Sequence, residues 1–546
     1  MKERNQVKEK LEEAHNSLKD NRFFNLFFIK AKKRNLFSFF FIQFNMIKKL
    51  SLIFILALYL HSSTLNLSMS TNPSRINPIL ASDKGSSDIA DWIFNGIFKY
   101  DKDGNIVNDL ASSYKFLDST TLIINLKKNV KWHDGEEFSS KDVLFTYNTI
   151  IDPKIFTPYT TNYKKVKSVK ILNKYTIEIK YKEPYFKALE IWMMGILPFH
   201  ILKDEKNIMT SSFNKKPIGT GAYTLDELKI SKDVVLRVNK NYFEKVPKIK
   251  KIVYKFVPDK TTSFYMLKQK QLDIGSLSAI QIDRQIDQKF RDNFTIIQKP
   301  SFGYSYVGLN LKNEKFKNKK VRQAISLAID RKQMADILYF GYAKPCTGPF
   351  LPGSIAYNEK VKVTKQNIKK AKELLKEAGY SKDNPFSFTI TTNASGGGSN
   401  VAEMIQYQLK KAHIEVKIRV VEWQAFLNTV INPRKFDAII LAWSLSLMPD
   451  ARSIWHSSSD KAGGFNFIGY KNKEVDRLIE KAEVTIDKKE FSKIYKKIYK
   501  LISEDVPYLF LFIPQSITSV NKDIKNIKPA FTGIFHNQSE WEKIDE

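Results

Sequence analysis

Leu65 to Ser70 (LNLSMS) alternates apolar and polar side chains, the period of a strand with one buried face. The period then changes: from Asp88 to Ile97, apolar residues recur at Ile89, Trp92, Ile93 and Ile97, which is helical spacing. Leu122 to Leu126, Lys167 to Ile171 and Tyr175 to Tyr181 predict further strands, the last two by alternation. Asp101 to Gly104 and the pair Asp134-Gly135 supply turn chemistry among them.

The C-terminal half carries a clearer order. Phe386 to Thr391 predicts a strand, and Asn400 a helix cap, with Glu403 three residues later completing a capping-box pattern on a helix running to about Ala412. Glu415 to Val421 is the next strand, a short helix follows near Trp423 to Val430, and Asp437 to Trp443 is another strand. This β-α-β-α-β order belongs to a parallel sheet covered by helices. Asn318, Thr364 and Asn472 precede further amphipathic helical patterns as candidate caps. No repeat of fixed period and no long linker divides the chain, which reads as α/β, one mixed body of connected lobes.

The chain has 546 residues, 43% hydrophobic and 27% charged, a globular balance that excludes wholesale disorder and a polytopic membrane protein. Its 89 basic and 57 acidic residues leave a net charge of +32. The excess is lysine spread along the whole length, whereas nucleic-acid readout favours clustered arginine, so a solvated surface and no nucleic-acid partner are expected. The one cysteine, Cys346, excludes an internal disulfide framework and a Cys-rich zinc site.

Met46 to Lys49 is a short positive segment, Leu50 to Leu60 an uncharged apolar run, and Ser62, Ser63 and Thr64 are small and polar. That layout predicts a signal peptide at residues 46–63 and export to the periplasm. Residues 1–45 fit neither pattern and read as a non-native or disordered extension ahead of a natural start at Met46; the competing reading is a cytoplasmic tail before an uncleaved anchor. No cysteine follows the apolar run, so no lipid is attached through one there.

Ligands of open parallel sheets bind beyond the carboxyl ends of the strands. Those ends are Thr392-Asn393, Glu422-Trp423 and Trp443-Ser444, where rings offer area and amides and hydroxyls offer orientation for an amphipathic ligand. Ser395 to Ser399 (SGGGS) reads as a flexible loop, lacking the lysine and hydroxyl of a phosphate loop. The seven histidines are scattered without metal-ligand spacing, no nucleophile elbow is present, and neither a metal nor a cofactor is expected. Trp132-His133-Asp134-Gly135 is the most enzyme-like patch, but sequence neighbours point apart and such a run usually forms a turn.

Several longer motifs stand in a fixed order: Asn77-Pro78, Ile93 to Tyr100 (IFNGIFKY), Asp109 to Ala111, Leu126 to Phe138 (LKKNVKWHDGEEF) with Lys141 to Val143, Pro217 to Tyr223 (PIGTGAY), Asn241 to Phe243, Val321 to Ala324, Ala328 to Arg331, Phe436-Asp437, Phe465-Asn466 and Gly469-Tyr470. Across about residues 64–515 the chain resembles the family 5 extracellular solute-binding proteins, which include the oligopeptide- and dipeptide-binding proteins of ABC importers. The resemblance implies a two-lobed periplasmic-binding-protein clamshell with mixed sheets and an extra domain inserted in the first lobe. It implies residues 64–105, 220–308 and 515–546 for the first lobe, 106–219 for the insert and 309–514 for the second lobe, with crossovers near Tyr306 to Asn310 and Phe512 to Ser516. It also implies a monomer without catalysis that delivers peptide to an ABC permease and ATPase complex.

In peptide-binding relatives an acidic residue shortly after the equivalent of Trp443 holds the peptide's positive N-terminus. Here that place falls on Ser446; Asp450 either substitutes as the acid from a shifted position or ends a turn with Pro449. The resemblance thus implies Trp443, Ser444 and Ser446 as cargo-binding walls, supported by Tyr306, Trp423 and Asn393; Lys84 either faces an anionic group of the ligand or is a solvated lysine. The alternative within the family is a non-peptide cargo: a nickel chelate, haem, an opine or an oligosaccharide. From other classes stand an exported hydrolase using His133 and Asp134, and a basic surface protein binding polyanions.

Overall fold

The computed structural model describes residues 64–81, 83–157, 159–393, 397–461 and 464–544. The expected signal peptide, the extension before it and the centre of the SGGGS loop lie outside these residues.

Strand β1 (Thr64–Met69) buries Leu65, Leu67 and Met69, as its alternation dictates. The helix Lys84–Ile93 follows, four residues earlier than the apolar period suggested, because Asp83 caps it by accepting the Ser86 N–H at 2.8 Å. A hairpin of β2 (Phe98–Tyr100) and β3 (Ile106–Asn108) turns at Asp101, whose carboxylate accepts the N–H groups of Asp103 and Asn105. Next come β4 (Ala111–Phe116), β5 (Thr121–Leu126), β6 (Val166–Asn173) and β7 (Thr176–Tyr181), an antiparallel sheet in the order β4-β5-β7-β6. The chain then returns through β8 (Tyr223–Lys229), β9 (Asp233–Val238) and β10 (Lys251–Phe256), and β10 pairs parallel with β1. One continuous apolar core, from Leu65 to Trp541, serves both sheets.

β11 (Ile274–Leu277), β12 (Phe294–Pro300), β13 (Gly303–Leu309), β14 (Ala343–Pro345), β15 (Phe386–Asn393), β16 (Ile414–Val421), β17 (Ala438–Ser444) and β18 (Tyr508–Asn521) form an eight-stranded sheet. Its path runs β11-β18-β13-β17-β15-β16, with β12 and β14 also on β18. β15 pairs parallel with both β16 and β17, the arrangement that the β-α-β-α-β pattern predicts. β18 is 14 residues long and changes partners midway: Tyr508 to Phe512 pair with β13, whereas Gln515 to Asn521 pair with β12.

Asn318 and Asn472 cap helices as the sequence predicts. Two caps differ. The helix Gly398–Lys410 starts from Gly397, at φ +76°, rather than at Asn400, because a left-handed glycine can turn the chain into the helix without a side-chain cap. Asn367, not Thr364, caps the helix Ile368–Glu377 by accepting the Lys370 N–H at 2.9 Å. The short helix near Trp423 is α-helical to Phe426 and widens to a π-turn over Leu427–Ile431.

Candidate functional site

β17 places Ile439, Leu441 and Trp443 on one face, against Tyr304 and Tyr306 of the antiparallel neighbour β13. Trp443 lies directly opposite Tyr304, and its indole reaches diagonally to stack on Tyr306. Trp443 also lies parallel to Phe467, 5.8 Å away. Tyr306 in turn stacks on Tyr508 at 3.9 Å, so four near-parallel rings are linked in one aromatic column-like cluster. Trp443 Nε1 donates to Tyr508 Oη at 3.3 Å and fixes the indole's orientation. Gly303 permits the close strand approach at the column's edge, since a Cβ there would stand 2.3 Å from the Trp443 carbonyl oxygen.

Beyond the end of β17 the chain turns through Leu445 to Asp450 and walls a cavity of about 150 Å³ with Trp443, Phe302, Phe350, Trp455, Phe465 and Phe531. Ser444 is exposed on this wall, and Ser446 Oγ donates to the Met448 carbonyl at 2.6 Å. Among the described residues, Asp450 is the cavity's one acidic wall residue. Its Oδ1 accepts the Arg452 N–H at 3.1 Å, and its Oδ2 accepts from Lys187 Nζ at 2.9 Å. A second cavity, about 550 Å³, shares Ser354, Leu447 and Phe531 with the first and is lined mainly by apolar and aromatic side chains, among them Tyr185, Phe186, Met448 and Phe491.

Trp443, Ser444, Ser446 and Asp450 are therefore brought together on one cavity. Tyr306 lies beneath it, fully buried behind Trp443. Asn393 ends β15 opposite Val421 of β16, and Trp423 begins the next helix with its ring 6.1 Å from Phe426; neither lines the two cavities. Lys84 is set apart: its side chain is 82% exposed and its ammonium pairs with Asp88 on the same helix turn. Sequence reasoning missed Phe302 and Phe531, which line the cavities, and Lys187, which reaches Asp450 from a remote segment; none of them lies in a motif of its own.

His133 is a tie between backbones. Its Nδ1 accepts the Gly219 N–H at 3.2 Å, which leaves Nε2 as the protonated nitrogen, donating to the Gly221 carbonyl at 3.0 Å. Both nitrogens are occupied, burial pulls its pKa down to about 4, and Asp134 turns instead to His200 Nε2 at 2.8 Å. The pairing of His133 with Asp134 that a hydrolase would need is not present. Among the described residues no cluster of three or more His, Cys, Asp or Glu side chains is placed to hold a metal ion, and no helix is long and apolar enough to cross a membrane.

The chain is 34% identical to the oligopeptide-binding protein AppA of Bacillus subtilis over 489 residues, covering 86% of this chain and 89% of that protein. The solved structure of AppA from Bacillus subtilis in complex with a nonapeptide matches with a TM-score of 0.73 at 33% identity, over 88% of this chain and 99% of that one. NikZ from Campylobacter jejuni, solved in complex with Ni(L-His), matches with a TM-score of 0.74 at 29% identity over 88% and 99%. These structures share the mixed α/β binding-protein fold. Residues 105–465 match the model of the bacterial extracellular solute-binding proteins, family 5 Middle. A match over most of the chain, joined to an aromatic-walled cavity at a strand end, makes this chain a member of the family 5 bacterial extracellular solute-binding proteins.

Proposed function

We propose that this protein captures peptides between two lobes and delivers them to an ABC permease and its ATPase. The observation that carries this reading is the pair of joined cavities. The smaller is walled by Trp443 and Asp450, the larger is mostly apolar, and they share Ser354, Leu447 and Phe531. Adjoining spaces with Asp450 on the smaller and mostly apolar walls on the larger suit a peptide, whose ammonium meets Asp450 and whose side chains spread over the apolar walls. The relative whose structure is solved in complex with a nonapeptide supports it.

The reading includes the lobe boundaries that the resemblance implies, with Trp443, Ser444, Ser446 and Asp450 as cargo contacts. The separation of the cores supports the division: one cluster serves the N-terminal sheets, while two others fill residues from Tyr304 to Phe512 or Ile513. β18 changing partners between Phe512 and Gln515 offers a connection about which lobes hinge. Export by a signal peptide at residues 46–63 and a monomeric working form complete the proposal.

A thermal-shift screen of the refolded chain against free and N-acetylated peptides, nickel with histidine, haem and oligosaccharides tests it. At 100 times its dissociation constant, the true cargo stabilises the fold by about 2.7 kcal/mol. A rise in melting temperature with peptides supports the reading. A rise with nickel and histidine alone would replace it with the role that NikZ suggests.

A further inference from the structure

Lys187 and Asp450 meet across 263 positions of sequence. Lys187 follows β7, in a segment whose Tyr181, Tyr185 and Ile191 belong to the N-terminal core, whereas Asp450 precedes Ala451 and Trp455 of a C-terminal core. The Lys187 side chain is 10% exposed and that of Asp450 35%. Beside them the Phe186 N–H donates to the Glu483 carbonyl at 3.1 Å, and the Phe186 ring stacks on Phe491 at 5.5 Å. The acid at the Trp443 cavity thus already holds an ammonium, supplied by the protein itself.

A second seat for that ammonium is close by. Glu190, three residues along, lines the same 380 Å³ cavity as Lys187. Its Oε1 accepts from Tyr100 Oη at 2.9 Å, while its Oε2 is buried without a hydrogen-bond partner. Burial pushes the Glu190 carboxyl above its ordinary range, and the charge of Lys187 opposes that rise. With all three groups ionised, Lys187, Asp450 and Glu190 carry one negative charge in excess, which one cationic group of a ligand neutralises.

We propose that Lys187 is a specificity-determining residue, an internal ammonium that holds Asp450 until a cationic group of the cargo replaces it, whereupon Lys187 turns to Glu190. The inference rests on the peptide-capture reading. A free peptide N-terminus brings the positive charge that keeps Asp450 paired while Lys187 moves. An N-acetylated peptide or a sugar leaves Asp450 with no replacement for that ammonium if Lys187 moves, and a partly buried acid that loses its counter-charge is costly. Selection for a cationic end therefore comes from competition with Lys187 as well as from Asp450.

Calorimetric titration of a free-amine nonapeptide and its N-acetylated form into wild type, K187M, E190Q, the K187M/E190Q double variant and K187R tests the exchange. K187M removes the competitor and tightens the free-amine peptide by about two- to fivefold, the range of a partly exposed ion pair, while the acetylated peptide is unaffected. E190Q removes the second seat and weakens the free-amine peptide in the wild-type background but has no effect in the K187M background. K187R keeps the wild-type preference. Melting temperatures of each variant show that it is folded. Equal shifts for both peptides in K187M, or the same E190Q effect in both backgrounds, would overturn the proposal.

Failure of the peptide reading looks different, because then neither peptide binds wild type. In that case hydrogen exchange of the unliganded protein decides whether the pair holds Asp450. Faster exchange in K187M over residues 185–191 and 445–451 supports the hold, and unchanged exchange overturns it.

Discussion

The indole of Trp443 lies parallel to the phenol of Tyr306, ring centroids 6.1 Å apart and planes within 9°. One ring faces the cavity and the other is buried beneath it, so the two have separable tasks. Trp443→Ala is expected to weaken cargo binding by about ten- to a hundredfold, as for a central aromatic anchor. Tyr306→Ala removes the support instead and should cost about 3–5 kcal/mol of stability, read by denaturant unfolding. Equal loss of affinity and stability in both variants would contradict this division of labour.

Tyr304 is fully buried next to that column, and its hydroxyl has no hydrogen-bond partner among the described residues. A buried hydroxyl left unpaired has lost its hydration without compensation, about 1–3 kcal/mol. Tyr304→Phe keeps the ring, including its edge contact with Phe510 at 5.4 Å, and deletes the orphan. The variant should be as stable as wild type or more stable, with cargo affinity unchanged. A clear fall in melting temperature would reveal a partner for the hydroxyl.

Much of this arrangement was legible from local pattern, and what was not has a physical reason. Phe386 to Thr391, Glu415 to Val421 and Asp437 to Trp443 predicted parallel strands because each strand's burial is decided by its own side chains. Trp443 to Asp450 could be picked out because one continuous segment leaves one strand end. Phe531 reaches the same cavity from beyond the last strand of the large sheet, and Lys187 reaches Asp450 from another core. Nothing in the neighbourhood of either residue encodes its partner. Asn400 looked like a helix cap because it precedes an apolar period, but the glycines before it allow an earlier start, and side-chain preference cannot rank a left-handed glycine against an asparagine.

Cys346 is a built-in reporter of unfolding. The side chain is buried, burial pushes its thiol up to about 12, and Sγ donates to the Gly348 carbonyl at 3.3 Å. At pH 8 almost none is thiolate, and the thiolate is the reactive species. Native protein should resist alkylation by iodoacetamide for hours, while the denatured chain reacts readily. Rapid labelling of the native form would mean that the segment around Cys346 opens locally.

The environment of His133 predicts how stability depends on pH. Burial, its largest influence, lowers its pKa from 6.5 to about 4, against an opposing contribution from the Gly221 carbonyl. Below pH 6.5 the unfolded chain binds a proton at this position that the folded chain refuses until about pH 4. The stabilisation is therefore complete above pH 6.5 and is lost progressively as pH falls through that window. His133→Gln removes the titration but also disturbs the ties to Gly219 and Gly221, so its stability should be lower at pH 7.5 and flatter between pH 6.5 and 4. Denaturant unfolding across that range checks both parts. A variant that keeps the wild-type slope would assign the pH dependence to other groups.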